Sequence, residues 1–364
     1  MKHSDTKYMK AALRLAAKAR DKTYPNPMVG ALIVKKGKVI GKGYHLRAGE
    51  AHAEIKAIAD ASCSCRGASM YVTLEPCDHY GRTPPCAGAI IDSGIREVNI
   101  AMKDPNPINS GRGIKRLRSA GISVSVGLCA GEARDLNRKY IKFVKENIPY
   151  VTVKLAQSID GKIAARDGSS KWISSDQSRK YVRKIRSEFD AIVVGVNTVI
   201  SDDPFLLDEK KRGYAVARVI MDTRLRTPMD SNIIRTAGKA PVIIGVTGLA
   251  PRSRVERFNR TEGVEVIVTR SKEGRVSLKS FLRALAGKGI VNVLVEGGGE
   301  LAGGLMDDSL VDEVMIFIAP GIIGGTRYSV RGKGIANISE MLKLRDLKVK
   351  RFGEDIFVRG LLTA

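Results

Sequence analysis

Short runs of β-branched and other apolar residues punctuate the second half of the sequence, and they constrain its fold more than any other feature. They include "YVTVKLA" from Tyr150, "DAIVVGV" from Asp190, "ARVIMD" from Ala217, "APVIIGV" from Ala240, "VEVIVTR" from Val264, "VNVLVEGG" from Val291 and "EVMIFIAP" from Glu313. Each has the length of a strand, and none approaches the roughly 20 apolar residues that a membrane span requires. Helical periodicity falls between them, near 176–188, 277–287 and 300–307. Strands apolar along their length and alternating with helices imply a buried sheet sandwiched by helices, an α/β fold. A late pair, "LKVKRFGEDIFVRGLL", reads as a terminal hairpin turning at Gly353-Glu354.

The first part alternates in the same way. "MVGALIVKKGKVIGKGYH" predicts a hairpin turning at Lys36-Gly37, followed by a helix from about Ala51 to Ala61 and the strand "SMYVTLE". Next come a helix after Pro84-Pro85 and the strands "EVNIAM" and "SVSVG". The polar segment "AGEARDLNRKYIKFVKEN" reads as a single helix, and Pro149 then opens a new strand. At 364 residues the chain can bury two cores. We expect two α/β domains, 1–146 and 147–364. The basic N-terminal segment has its apolar residues at helical spacing and lacks the apolar core of a signal peptide, so it reads as a first helix. A cytoplasmic chain that neither crosses nor anchors in a membrane is expected.

Only four histidines occur in the chain, and His52 lies in "HAEIKAIADAS", shortly before "PCDHYGRTPPC". His52, Cys77 and Cys86 offer three ligands, and three ligands with an open position is the arrangement of a catalytic zinc. Glu54 is then free to act as the base that takes a proton from water and delivers it to a ring nitrogen and a departing amine. Residues two apart on a regular helix point to nearly opposite sides, so His52 and Glu54 converge only at a helix N-terminus. The order H-x-E…P-C…C matches the zinc nucleobase deaminases, except that eight residues replace the usual two between the cysteines. His79 and Arg82 in that insert are candidate substrate contacts. Five cysteines, an odd number, do not suggest a disulfide framework. Cys129 reads as a small core residue.

Lysine and arginine outnumber the acidic residues 62 to 38, a formal charge of +24. That field draws anions of any kind, but the basic residues are scattered and no tract interleaves them with aromatics. The charge is therefore expected to serve small anions and no specific nucleic acid; a general solubility trait is the alternative, and charge alone does not name the ligand.

Together "TYPNPMVGALIV", "GYH", "GEAHAE", "YVTLEPCDHYGRTPPC", "DPNP" and "AGI" resemble the deaminase half of the bifunctional riboflavin-biosynthesis deaminase/reductases, over residues 6–146. The resemblance implies a cytidine-deaminase-like fold and zinc. It also implies a phosphorylated pyrimidine substrate, 2,5-diamino-6-ribosylamino-4(3H)-pyrimidinone 5′-phosphate. Asn26, His45 and His79 become ring or amine contacts; the plainer alternatives are a turn asparagine and surface imidazoles.

"PYVTVKLAQSIDGKIA", "GSSKWISS", "VGVNTVISDDPFL" and "VEGGGELAGGL" resemble the second half of the same family, over about 148–364. That implies a dihydrofolate-reductase-like fold, NADPH and reduction of ribosyl to ribityl; a homo-oligomer is expected besides. Lys154, Asp202 and Glu296 are titratable groups near strand ends that suit acid–base work. By the resemblance, Ala156, Trp172, Thr198, Asp202 and Thr223 contact the cofactor, with Gly298, Gly299, Glu300, Leu301, Ala302, Gly303 and Gly304. Glycines running into a helix can also hold a pyrophosphate on backbone N–H groups, although a purely structural turn would look alike. Ser170, Arg186, Leu206 and Glu296 match substrate-contacting positions, and a planar guanidinium suits phosphate. Trp172 as a core aromatic and Arg186 as a solvated helix charge are the alternatives. Where the family usually places an arginine, three residues past the leucine of "DDPFL", this chain has Glu209. Lys210, Lys211 or Arg212 is expected to take over through a shifted loop; weaker phosphate affinity is the alternative. Arg224 and Arg270, beyond strand ends, are candidates for a cofactor 2′-phosphate. Two rivals stand beside this reading: an RNA-binding deaminase acting on tRNA adenosine, and a scaffold with one inactive half.

Overall fold

The structure is a computed structural model and describes residues 3–20, 22–80, 84–208 and 215–362. It divides into two compact units, Met1–Asn147 and Ile148–Ala364.

In the first unit, helix α1 (His3–Ala17) precedes the hairpin of β1 (Gly30–Lys35) and β2 (Lys38–Tyr44). Then follow α2 (Ala53–Ala59), β3 (Ser69–Val72), α3 (Cys86–Asp92), β4 (Glu97–Ile100), α4 (Arg112–Ser119) and β5 (Ser123–Val126). Helices α5 (Ala130–Leu136) and α6 (Arg138–Glu146) close the unit. The sheet order is β2-β1-β3-β4-β5, antiparallel up to β3 and parallel from β3 to β5. The hairpin turns at Lys36 and Gly37, both with positive φ (48° and 77°), as a tight two-residue connection requires. Gly41 and Gly43 on β2 face helix α2 so closely that a β-carbon at either would collide with its backbone, the carbonyl of Ala57 or Ala53. Two glycines thus let α2 lie directly on the sheet, with its first turn at the sheet's end.

The segment expected as one polar helix from Ala130 is two helices. The break is Asn137 (φ −104°, ψ 18°). Its buried side chain accepts from Met28 N (2.8 Å) and donates to Met28 O (2.9 Å). That paired contact pins Asn137 to the chain entering β1, and the helix is interrupted there.

The second unit starts with β6 (Tyr150–Ser158), α7 (Asp176–Arg186), β7 (Ala191–Gly195), α8 (Val196–Asp202) and β8 (Ala217–Met221). It continues through α9 (Asn232–Arg235), β9 (Val242–Val246), α10 (Arg252–Asn259) and β10 (Val264–Val268). A small ribbon, β11 (Ser271–Lys272) and β12 (Arg275–Val276), leads to α11 (Leu278–Gly287), β13 (Asn292–Val295), α12 (Gly299–Asp307) and β14 (Glu313–Ala319). The hairpin of β15 (Leu344–Phe352) and β16 (Asp355–Leu362) ends the unit and turns at 353–354. The main sheet runs β10-β9-β8-β7-β13-β6-β14-β16-β15. It is parallel from β10 to β14 and antiparallel beyond. Alternate residues feed two cores: Ile192, Val194, Ile220 and Leu294 on one face, Val193, Val219, Val293 and Val295 on the other. Burial on both faces is why these strands read as unbroken apolar runs. Helices α4, α8, α9 and α10 are not marked in the sequence reading. At four to eight residues they are too short to establish a 3.6-residue period.

Close packing of α2 on β2 makes a paired prediction. Gly43→Ala should destabilise the first unit by about 1–3 kcal/mol, the usual cost of overpacking. Gly131→Ala, in helix α5 with open space around the new β-carbon, should be neutral or stabilising by up to about 1 kcal/mol. Chemical denaturation of the two variants checks both signs.

Candidate active sites

His52 is the N-cap of α2, with extended backbone (φ −69°, ψ 166°), and Glu54 is in the first turn. The chain enters the helix there, so two residues two apart in sequence meet at one place. Cys77 follows β3 on a loop, and Cys86 opens α3 behind Pro85. His52 Nδ1 lies 3.2 Å from Cys86 Sγ and 3.5 Å from Cys77 Sγ, and the three donor atoms all fall within 4.8 Å of one another. Ligand bonds of about 2.0 Å to nitrogen and 2.3 Å to sulfur at tetrahedral angles put N and S about 3.5 Å apart. The donor set fits zinc.

Electrostatics agree with that donor set. The Cys77 thiol is drawn down to about 4, chiefly by the hydrogen bond with Cys86 and against the effect of burial. Its sulfur also accepts from Cys86 N at 3.3 Å. Cys86 is pushed up by the same sulfur–sulfur contact and by burial. His52 is raised, first by its hydrogen bond with Cys77. Glu54 is buried, and desolvation lifts its carboxyl to about 7. His45 meets His52 edge-on with ring centroids 5.3 Å apart, and its Nε2 is 3.1 Å from Asn26 Nδ2. Burial lowers His45, which favours the neutral ring. His79 Nδ1 is buried without a partner among the described residues. Arg82 lies outside them.

Sequence reasoning missed the support beneath the metal loop. Glu75 is buried, and its carboxylate accepts from Asp104 N (3.0 Å), Gly111 N (3.0 Å) and Ile114 N (3.2 Å). Asn109 accepts from Asp78 N at 2.9 Å and donates to Pro76 O at 3.4 Å. The visible signal was an acidic residue directly before Pro76-Cys77.

In the second unit, one cleft of about 1920 Å³ opens at the carboxyl ends of β6, β13, β7 and β8. Lys154, Ala156, Ser170, Trp172, Arg186, Thr198, Asp202, Leu206, Thr223 and Glu296 all line it. So do Gly298, Gly299, Glu300, Leu301 and Gly304 at and after the start of α12, whereas Ala302 and Gly303 are buried and do not line it. Trp172 is 70% exposed with the Arg179 guanidinium 4.5 Å over its ring, so it is not a core aromatic. Arg186 grips Glu296 with both arms, Nε to Oε1 at 2.7 Å and Nη2 to Oε2 at 3.1 Å. It is therefore not a solvated helix charge, and its planar fork is committed to a carboxylate. Lys154 Nζ lies 3.7 Å from Glu296 Oε2. Burial lowers the Lys154 ammonium, while Arg186 and Lys154 hold Glu296 below the usual carboxylate range against desolvation. Added β-carbons at Gly195 and Gly298 would enter open cleft space. Backbone left bare beside two helix starts suits a dinucleotide pyrophosphate. The replacement at Glu209 and its neighbours Lys210, Lys211 and Arg212 lies outside the described residues.

The metal set makes a direct prediction. Purified protein should carry one zinc per chain, and Cys77→Ser combined with Cys86→Ala should lose it, as read by elemental analysis. Metal content unchanged in that variant would refute the assignment of ligands.

Residues 2–102 match the cytidine and deoxycytidylate deaminase zinc-binding region, and residues 149–358 match the RibD C-terminal domain. The riboflavin biosynthesis protein RibD of Aquifex aeolicus is 43% identical over 359 residues, covering 97% of each chain. The RibD of Escherichia coli K12 is 38% identical over 363 residues, covering 96% of this chain and 95% of the relative. Among solved structures, Acinetobacter baumannii RibD aligns with a TM-score of 0.85 at 33% identity over 99% of both chains. A deaminase/reductase from Thermotoga maritima aligns with a TM-score of 0.81 at 34% identity, again over 99% of both. The zinc-site half and the cleft half are thus matched along their full length by one two-domain α/β architecture, and the chain belongs to the RibD family of bifunctional deaminase–reductases.

Proposed function

We propose that the chain carries out two successive steps of riboflavin biosynthesis. The first unit hydrolyses the ring amine of 2,5-diamino-6-ribosylamino-4(3H)-pyrimidinone 5′-phosphate, consuming water and releasing ammonia. The second reduces the ribosyl group to ribityl, giving 5-amino-6-ribitylamino-uracil 5′-phosphate. The observation that carries this reading is the presence, in one chain, of the His52–Cys77–Cys86 set beside Glu54 and of a separate cleft around Lys154 and Glu296.

Zinc held by His52, Cys77 and Cys86 supplies Lewis acidity, which brings the ionisation of water towards neutral pH. Glu54 receives the water's proton on its carboxylate and passes it to the ring nitrogen and the leaving amine. A buried carboxyl lifted to about 7 is poised to hold that proton and to release it. Asn26, His45 and His79 orient the pyrimidine. His79 Nδ1, otherwise unpartnered among the described residues, turns to the substrate.

In the second unit NADPH, when bound, would supply the hydride that reduces C1′ once the bond from C1′ to the ribose ring oxygen has opened. Lys154 donates a proton from Nζ to the ribose oxygen, and its burial makes that proton easier to give. Glu296, clamped by Arg186, fixes where Nζ points. Asp202, at the last turn of α8, assists proton movement and borders the cofactor. Ser170, Leu206, Arg186 and Glu296 frame the substrate. Ala156, Trp172, Thr198, Thr223 and the segment Gly298–Gly304 hold the cofactor, with Ala302 and Gly303 contributing through the position of the helix backbone.

No helix among the described residues is long and apolar enough to cross a membrane. Free cysteines and a reduced cofactor suit the cytoplasm. We also propose a homo-oligomer. Edge strand β15 and the chain before it expose Ile338, Leu347 and Val349 (77%, 57% and 65%), more apolar surface than an isolated edge usually shows. Light scattering should give a multiple of 39.5 kDa, and a monomer at micromolar concentration would end this part of the reading.

The two activities should separate by single substitutions. Glu54→Gln keeps the shape beside the metal but loses the proton acceptor, a loss of about 10²–10⁴-fold in deamination, while NADPH oxidation with the pre-deaminated pyrimidine continues. Lys154→Met should release ammonia without consuming NADPH. Parallel assays of ammonia and NADPH absorbance read both. A folded Glu54→Gln protein that cannot reduce the deaminated substrate would mean that the two sites are not independent.

A further inference from the structure

The cleft is lined at the ends of β6, β13, β7 and β8, and also by parts of 163–186, 196–207 and 327–333 and by the β11–β12 ribbon. Lys154 and Glu296 lie at the β6 and β13 end of these strands, and the cleft continues from there past β7 to β8. Strands β6, β13, β7 and β8 are consecutive neighbours. At roughly 4.8 Å per spacing, β8 lies about 14 Å from β6. An extended dinucleotide with its nicotinamide beside Lys154 and its pyrophosphate at the start of α12 would set its adenosine ribose beyond the end of β8.

A built turn occupies that place. Asp222 is fully buried and accepts from Thr227 N and Thr227 Oγ1, both at 2.7 Å. Thr247 donates its backbone N–H (3.1 Å) and its hydroxyl (3.0 Å) to Thr223 O. Arg254 from α10 donates to Leu225 O and Thr227 O, each at 2.6 Å. Leu225 is buried with φ +58°, a left-handed conformation that a branched residue adopts only where its surroundings hold it. This anchoring leaves Arg224 and Arg226, on either side of Leu225, exposed and lining the cleft.

Charge sets the same pair apart from the cations around α12 and the ribbon. Around α12 and the β11–β12 ribbon the cleft cations have carboxylates: Lys272 meets Asp308 at 2.5 Å, Arg275 meets Glu300 at 3.6 Å, and Lys333 meets Glu273 at 3.0 Å. Arg224 has no hydrogen bond or ion pair among the described residues, and Arg226 donates only to the neutral amide oxygen of Asn197 at 2.7 Å. Two guanidinium groups on a rigid turn, unneutralised, await a dianion. Arg270, the other candidate from the sequence, does not line the cleft.

We propose that Arg224 and Arg226 bind the 2′-phosphate of the cofactor's adenosine ribose and so set the preference for NADPH over NADH. This rests on the reading of the second unit as an NADPH-dependent reductase. A planar fork matches a phosphate face with charge-assisted hydrogen bonds.

The test is calorimetric titration of the zinc-loaded full chain with NADP⁺ and with NAD⁺, neither of which can donate hydride. The native protein should bind NADP⁺ more tightly. Arg224→Gln/Arg226→Gln should weaken NADP⁺ by about 10–100-fold, the value of charge-assisted hydrogen bonds, and leave NAD⁺ unchanged. Arg270→Gln should alter neither. Adding 2′,5′-ADP as competitor should reproduce the loss. If the native protein prefers NADP⁺ and the double variant keeps that preference, or loses both dinucleotides equally, the assignment is wrong while the reductase reading stands. If the native protein binds neither dinucleotide, the reductase reading fails and takes this proposal with it.

Discussion

A strand covered on both faces meets solvent only at its ends, and that constraint places the chemistry in each unit. Where a buried strand stops, its last residues leave the core abruptly, and any polar group there must find partners at once. Both units answer with a glutamate just past a central strand. Beyond β3, Glu75 is satisfied by three backbone N–H groups and fixes the loop that carries Cys77. Beyond β13, Glu296 is satisfied by two cations and fixes Lys154. The position is equivalent, and the partners decide the consequence: neutral donors make a rigid loop, whereas cations make a buried charged cluster at the cleft.

The apolar runs of the second unit made its strands legible because a period of two is absent when both faces are covered. The Lys36-Gly37 and Gly353-Glu354 hairpins were legible because few residues fit such turns. His52 and Glu54 could be placed at a helix start because no other local geometry brings residues two apart together. Less was readable where partners come from afar. Nothing around Asn137 announces that Met28 would split a helix, since the two are more than a hundred residues apart in sequence. Arg186 looked like a phosphate ligand because a guanidinium is recognisable in sequence, whereas the carboxylate that occupies its fork, Glu296, is 110 residues away. Short helices such as α8 and α10 carried too little pattern to be seen.

Distant anchoring also fixes the walls of the reductase cleft. Arg218 is wholly buried with neutral acceptors only: Phe205 O (3.1 Å), Thr236 Oγ1 (2.6 Å), Thr236 O (2.8 Å) and Ala240 O (2.5 Å). Burial pulls its pKa down to about 10, so it stays charged at neutral pH and binds those carbonyls strongly. One of them belongs to the loop that carries Leu206 into the cleft. On the opposite wall, Ser175 caps α7 and gives its N–H and hydroxyl to buried Asp355 of β16, each at 2.8 Å. The helix bearing Arg179 and Arg186 is thereby tied to the terminal hairpin. Both walls are held from outside the cleft, which leaves the cleft-facing polar groups free to be chosen for ligand contact.

The same economy explains how a chain of charge +24 can still be selective. Its excess of lysine and arginine sets a broad attractive field, but at physiological salt that field decays over about 8 Å and treats all anions alike. Discrimination has to come from cations whose partners are withheld. Within the reductase cleft most cations meet a carboxylate or a carbonyl of the protein, which removes them as indiscriminate anion sites. A cation left without a carboxylate on an anchored turn presents its full charge in a fixed direction, and a ligand satisfies it by bringing an anionic group to that point. Neutralising the rest of the cleft is thus what gives the remaining charges meaning.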